Sequence, residues 1–208
     1  MTKRRRKSGD KKFVTRVDAV LIMAAAAVAA VATTFFTVSA IIATLTGPVT
    51  LTLPLYAAHP SPTGLGMGSV ARFTAMEAAI PSLPRDEAVI LAWAGALNQV
   101  SFLAVAALLF LLAFRLRGEN LFTPASARIV GACGVVLAFA GTVAQALDAA
   151  ARTRIAELIG ANQQTPGETI FLVADFNIAP LLAGIVLILV AGVFQFGRRL
   201  QRDTEGLI

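Results

Sequence analysis

The sequence predicts an all-α membrane protein, a four-transmembrane-helix bundle with a small extracytoplasmic loop that contains strands. Its composition is the first observation: 57% of the 208 residues are hydrophobic and 14% are charged, whereas soluble domains carry about 45–50% apolar and about 25% charged residues. The second is a set of four apolar runs, each long enough to cross about 30 Å of hydrocarbon as a helix of roughly 20 residues. The third is a period-two alternation of apolar residues between the first two runs.

The first helix is predicted over residues 19–45, behind a basic segment, residues 1–18. Its apolar run exceeds the about 7–15 residues of a cleavable signal sequence, which favours a retained signal anchor. Eight Lys and Arg lie in the N-terminal segment, three around the second connection and three in the tail, so that 14 of the 18 share one side. The positive-inside rule then places both termini of this multi-pass membrane protein in the cytoplasm.

The loop over residues 46–88 is predicted to form a β-hairpin. Val49, Leu51 and Leu53 alternate with polar residues, and a weaker alternation follows in residues 69–81 after the turn-rich stretch "HPSPTGLGMG". Because a two-stranded hairpin is marginally stable alone in water, we expect it to dock on the helix ends or the outer leaflet, where Tyr56 and Phe73 suit the interface.

The remaining elements follow from runs and breaks in the sequence. Helix 2 is predicted over residues 89–114, followed by a cytoplasmic turn over 115–124 in which Thr123 caps helix 3 and Pro124 begins it. Helix 3 is predicted over 125–150, with its helix continuing outside the membrane until Gly160 in the connection 151–169. Helix 4 is predicted over 170–197, bent at Pro180, and the cytoplasmic tail covers 198–208.

Polar side chains within apolar spans are costly in lipid and are therefore candidates for function. They are predicted to cluster towards the outer leaflet, and Asp148 is expected to pair with Arg152 one helical turn away. Interhelical hydrogen bonds are the simpler interpretation and a small-ligand site the sharper one. The candidate polar cluster consists of Asn98, Gln99, Gln145, Asp148, Asp175 and Asn177.

Other classes of site lack support in the sequence. His59 has no second histidine or cysteine at metal-ligand spacing, Cys133 lies among small residues of an apolar span, and no nucleophile is paired with a base. The net charge of +6 comes mainly from the N-terminal segment, which suits a lipid surface better than nucleic acid. We therefore expect no enzyme activity, no cofactor, no metal and no direct nucleic-acid binding.

The tail raises a separate question. Its arginines fit the positive-inside rule and the negative end of a helix dipole, but the acidic residues and the apolar Leu207-Ile208 terminus have no such explanation. The candidate cytoplasmic contact residues are Arg198, Arg199, Arg202, Asp203 and Glu205.

The stretches "GENLFTPASARIVG" and "FQFGRRLQRDTEGLI" resemble domain of unknown function 2975, an uncharacterised family of bacterial four-helix integral membrane proteins. The ending Phe-x-x-Gly-x-x-Leu of that family matches Phe194, Gly197 and Leu200. The resemblance implies a bacterial cell (inner or plasma) membrane protein with four spans, an outer loop with strand character, and an Xre-type helix-turn-helix regulator as a cytoplasmic partner.

Three functions compete at this point. The first is a non-catalytic regulatory or scaffold protein that engages a cytoplasmic partner. The second is a small-solute or lipid-handling protein that uses the polar cluster in the outer leaflet. The third is an accessory subunit of a larger membrane complex, for which small residues such as Gly131, Gly134, Ala138 and Gly141 offer a packing surface, although they would serve packing inside the chain equally well.

Overall fold

A computed structural model of the chain describes residues 16–57, 75–116, 124–160, 170–172 and 176–205. The described residues form four long helices and three short strands: α1 (Arg16–Thr46), β1 (Val49–Ala57), β2 (Ala75–Ile80), α2 (Arg85–Leu116), α3 (Pro124–Leu158), β3 (Ile170–Leu172) and α4 (Ala179–Glu205). Each helix is long and apolar enough to cross a membrane. The mostly helical fold with a small sheet was therefore predicted correctly.

The helices run antiparallel and form a row in sequence order, α1 against α2, α2 against α3 and α3 against α4. The described parts of α1 and α4 do not pack extensively on each other. The burial of the helices reflects this order. In the most apolar part of each helix, 11% of the residues are buried in α1 and in α4, against 22% in α2 and 28% in α3. The four helices thus make an open arrangement in which the two end helices are the most exposed.

Small residues bring α3 and α4 together. A Cβ atom added at Gly134 would lie 2.8 Å from the Gly184 carbonyl oxygen, and one added at Gly141 would lie 2.8 Å from Pro180 Cβ. Such contacts are shorter than real side chains allow, so the backbones meet at glycines. The small residues of α3 therefore serve packing inside the chain, which removes the support they offered for a surface facing another protein.

The three strands are joined through β1, in the order β2-β1-β3. β1 pairs antiparallel with β2 from Val49 opposite Ile80 to Pro54 opposite Ala75, and with β3 from Leu55 opposite Leu172 to Ala57 opposite Ile170. The alternation in the sequence predicted β1 and β2. Tyr56 has a described backbone only, and Phe73 and His59 lie outside the described residues.

The predicted start of helix 4 at Ile170 is wrong. Residues 170–172 form β3, and α4 begins at Ala179. Pro180 therefore lies in the first turn of α4, where its missing N–H costs nothing, and does not bend the helix as predicted. Helix 3 begins at Pro124 and continues past residue 150 to Leu158, as predicted, and Gly160 follows with a positive φ of 72°. Thr123, its predicted cap, lies outside the described residues.

Candidate functional site

Gln99, near the middle of α2, bonds to three threonines of α1. Its Nε2 donates to Thr34 Oγ1 at 2.8 Å and to Thr33 Oγ1 at 3.2 Å. Its Oε1 accepts a hydrogen bond from Thr37 Oγ1 at 3.0 Å. Both amide protons and the amide oxygen of Gln99 are thereby satisfied, as an apolar surrounding requires. We call this set the α1–α2 polar link.

The neighbouring Asn98 points elsewhere. Its side chain is exposed on α2, and none of the hydrogen bonds found among the described residues involves it. The sequence grouped Asn98 with Gln99 because the two are adjacent, but adjacent residues of a helix point about 100° apart. Only Gln99 faces α1.

The α1–α2 polar link leads to a prediction about stability. Gln99→Leu should lower the free energy of unfolding by about 1–2 kcal/mol, because interhelical bonds of this kind average about 0.6 kcal/mol each. Asn98→Leu is the matched control, since it makes the same chemical change on the exposed side and should alter stability by less than about 0.5 kcal/mol. Thermal melting in detergent measures both. Equal effects of the two substitutions would show that the link contributes nothing.

A second set of bonds fixes the beginning of α4. Gln145 Oε1 on α3 accepts a hydrogen bond from the Asn177 backbone N–H at 2.7 Å. Asn177 Oδ1 in turn accepts one from the Ala179 backbone N–H at 2.9 Å, an i,i+2 bond of the Asx-turn type that satisfies the first N–H of α4. The two amide side chains therefore cap α4 and tie its first turn to α3.

A third set lies on the extension of α3 beyond residue 147. Arg152 Nε donates to Asp148 Oδ2 at 2.6 Å, in the i,i+4 ion pair predicted from the sequence. Arg152 Nη1 also donates to the Thr52 carbonyl oxygen of β1 at 2.7 Å. The guanidinium thus joins the sheet to α3. Because both side chains are partly exposed, the ion pair itself contributes about 0.2–1 kcal/mol.

The described members of the predicted polar cluster do not meet at one site. Gln99, Gln145 with Asn177, and Asp148 belong to three separate sets of bonds, and no hydrogen bond within the described part of the chain joins one set to another. Asp175 lies outside the described residues. The arrangement orients helices and strands, and it brings no charged group into the apolar middle of the described helices.

The opposite end of the helices carries the candidate cytoplasmic contact residues. The helix α4 continues beyond its apolar run, which ends in the sequence at Gly197, through all five of them to Glu205. The side chains of Arg198, Arg199, Arg202, Asp203 and Glu205 lie outside what the structure describes. Their backbone is an unbroken helical extension.

Arg115 and Ser126 form a contact at this end that the sequence did not single out. Arg115 Nη1, at the end of α2, donates a hydrogen bond to Ser126 Oγ at the start of α3, and Ser126 is 2% exposed. From the sequence alone, Arg115 is one of the positive charges around the second connection that predict the orientation of the protein. The signal available was a Ser within the first turn of a helix that follows a basic turn, which is too common to predict a pair.

The described side chains offer no grouping typical of a metal centre. In the described ranges, no three His, Cys, Asp or Glu side chains are grouped so that they could hold a metal ion. Cys133 is partly buried in α3 and packs at the edge of the apolar cluster formed by Leu108, Val130 and Ala191.

Comparison with known proteins adds no relative. No family model matches the chain, and neither a curated protein nor a solved structure matches it. The resemblance to domain of unknown function 2975 therefore stays a prediction.

Proposed function

We propose that the protein is a multi-pass protein of the bacterial cell membrane with both termini in the cytoplasm, and that it acts as a non-catalytic regulator or scaffold. Its cytoplasmic face consists of the N-terminal segment 1–18, the turn 115–124 and the tail 198–208. The partner that the resemblance suggests is an Xre-type helix-turn-helix regulator. The protein would then hold a soluble DNA-binding protein at the membrane without binding nucleic acid itself.

The observation that carries this proposal is the helical extension of α4. The apolar run of the sequence ends at Gly197, before Arg198 and Arg199, but the helix continues to Glu205. Eight further residues extend it by about 12 Å. A helix that leaves the bilayer in this way presents the contact residues on a rigid support, which lowers the entropy lost when a partner binds.

The packing of the helices supports the proposal that the turn and the tail belong to the same face. Gly131 lies beside Ala191, and Gly141 lies beside Pro180, so α3 and α4 run in opposite directions. The start of α3, held to the end of α2 by Arg115 and Ser126, is thereby level with the end of the apolar run of α4 near Gly197. The turn and the tail consequently share one end of the molecule, the end richest in Lys and Arg.

Photo-crosslinking in cells tests the proposal. A photoreactive residue in place of Thr204 should capture a soluble partner, and removal of residues 203–208 from a chain with the photoreactive residue at Gln201 should reduce capture about tenfold, the effect of losing about 1.4 kcal/mol of contact energy. Arg154→Gln, an exposed change at the opposite end of α3, is the control and should leave capture unchanged. Full retention by the truncated chain would disprove the role of the tail.

The identity of the captured protein separates the two parts of the proposal. A helix-turn-helix protein would support the regulator suggested by the resemblance. A different soluble protein would support the scaffold role and contradict that partner. Capture of lipid alone would contradict both.

The open row of helices favours one second candidate, an accessory subunit of a larger membrane complex. The most exposed helices, α1 and α4, carry large apolar side chains such as Phe35, Phe36 and Phe196, each about 70% exposed. A subunit of this kind should purify with integral membrane partners in fixed stoichiometry. The scaffold role instead requires a soluble partner.

A further inference from the structure

An apolar groove of about 430 Å³ runs between α1 and α2. One wall is formed by three alanines of α1, Ala26, Ala27 and Ala30, and the other by residues of α2 from Leu103 to Leu111, Ala106 and Ala107 among them. The groove is open along its side, and none of its lining residues is polar. Its volume falls within the range of about 300–1,000 Å³ that is typical of sites for small molecules.

The groove lies between α1 and α2 next to the point where the two helices are held together. The side chains that face each other along the groove are small. Towards the sheet, the α1–α2 polar link joins the helices, and a Cβ added at Gly95 would lie only 3.8 Å from Ile41 Cγ1. Towards the N-terminal end of α1, the facing positions of the two helices include five alanines, whose side chains leave space between the helices. The groove therefore lies in the half of α1 and α2 that is nearer the basic end of the molecule.

We propose that this groove binds one acyl chain of an anionic phospholipid from the leaflet that contacts the basic N-terminal segment. An apolar wall open to the side suits a hydrocarbon chain, since a polar solute would lose its hydrogen bonds there. The lined stretch of α2, Leu103 to Leu111, covers about 12 Å of helix. That length fits a segment of an acyl chain better than a further transmembrane helix, which needs a seam along the whole span.

The charge of the chain selects the headgroup. Eight of the 18 Lys and Arg residues lie within residues 1–16 and lead directly into α1. Ala26 follows Arg16 by ten residues, or about 15 Å of helix, so the groove begins within the leaflet that this segment contacts. Arg115 adds charge at the same end, but it is already bonded to Ser126. Each Lys or Arg near such a surface strengthens the binding of an anionic lipid about fivefold.

Native mass spectrometry of the full chain in detergent tests the inference with phosphatidylglycerol and phosphatidylcholine of identical acyl chains. Phosphatidylglycerol should stay bound preferentially. Ala27→Leu fills the groove and should reduce its binding at least about tenfold. Ala24→Leu adds the same volume at an exposed position of α1 outside the groove and should leave binding unchanged. Ala107→Leu, on the opposite wall, repeats the test if Ala27→Leu lowers the melting temperature.

The headgroup is tested separately. Lys11→Gln combined with Lys12→Gln should weaken phosphatidylglycerol about fivefold for each charge removed and leave phosphatidylcholine unaffected. Equal binding of the two lipids by the intact chain would overturn the inference, as would equal effects of Ala27→Leu and Ala24→Leu. A lipid-free dimer that Ala27→Leu dissociates would overturn it in favour of a second copy of the chain. None of these results depends on capture of a soluble partner, so this inference and the proposed function can fail independently.

Discussion

Gly184→Ala is expected to destabilise the protein by about 1–3 kcal/mol, the usual cost of adding a methyl group to a packed contact. A Cβ at Gly184 would lie 2.6 Å from Ala138 Cβ, 2.6 Å from the Gly134 carbonyl oxygen and 2.8 Å from the Ala138 backbone nitrogen. Two of these atoms belong to the backbone of α3 and cannot rotate away. To admit the methyl group, α4 must move away from α3 along the contact.

Gly192→Ala is the matched control for this prediction. Gly192 belongs to the same helix, and a Cβ there would meet nothing within 4 Å. Both substitutions gain the same helix propensity, up to about 1 kcal/mol for Gly→Ala, so the difference between them isolates the contact. Thermal or detergent-induced unfolding should show a lower stability for Gly184→Ala than for the unaltered protein. Gly192→Ala should have an equal or higher stability than the unaltered protein. Equal stabilities of the two variants would show that α3 and α4 do not meet at Gly184.

The contact explains why the glycines of α3 could be noticed in the sequence but not assigned. Gly134 and Ala138 are one turn apart, a spacing that predicts a close approach of two helices. The spacing does not state which helix approaches. The structure places α4 there because Gly184 supplies the matching gap, and one isolated glycine in an apolar run carries no such signal.

Long-range pairing limited the prediction of the polar groups in the same way. The threonines of α1 and Gln99 of α2 were each recognisable as polar residues in apolar runs. Whether these side chains meet depends on how each helix is rotated about its axis and on how far one helix is shifted along the other. Neither quantity can be derived from the sequence of one chain. Asp148 and Arg152 could be paired because the i,i+4 spacing lies within one helix.

The start of α4 shows a different limit. The apolar run from Ile170 is continuous enough to suggest a span, and a strand of three residues is too short to show a period of two. Asn177, three residues before Pro180, was a helix-start signal. Because apolar residues extend on both sides of it, the sequence alone favours a polar residue within the membrane. Pairing of β3 with β1 decided the outcome.

Leu53→Ala is the second substitution with a large expected effect, a loss of about 2–5 kcal/mol, as for other buried leucines. Leu53 is 0% exposed and Leu51 is 8% exposed, although both belong to a short strand outside the candidate spans. Three strands alone expose both faces, so one face of β1 must be covered by the rest of the chain. The bond from Arg152 to the Thr52 carbonyl joins β1 to the extension of α3, whose residues Ala151 and Ile155 are also buried.

Thr50→Ala is the control for Leu53→Ala, because Thr50 lies on the exposed face of the same strand and should alter stability by less than about 0.5 kcal/mol. Melting in detergent gives the stability, and the labelling rates of cysteines placed at positions 50 and 53 report accessibility directly. Rapid labelling at both positions, with equal melting temperatures for the two alanine variants, would show that the sheet is not docked. Slow labelling at position 53 alone would show that this face of β1 is covered, as docking of the sheet on the extension of α3 requires.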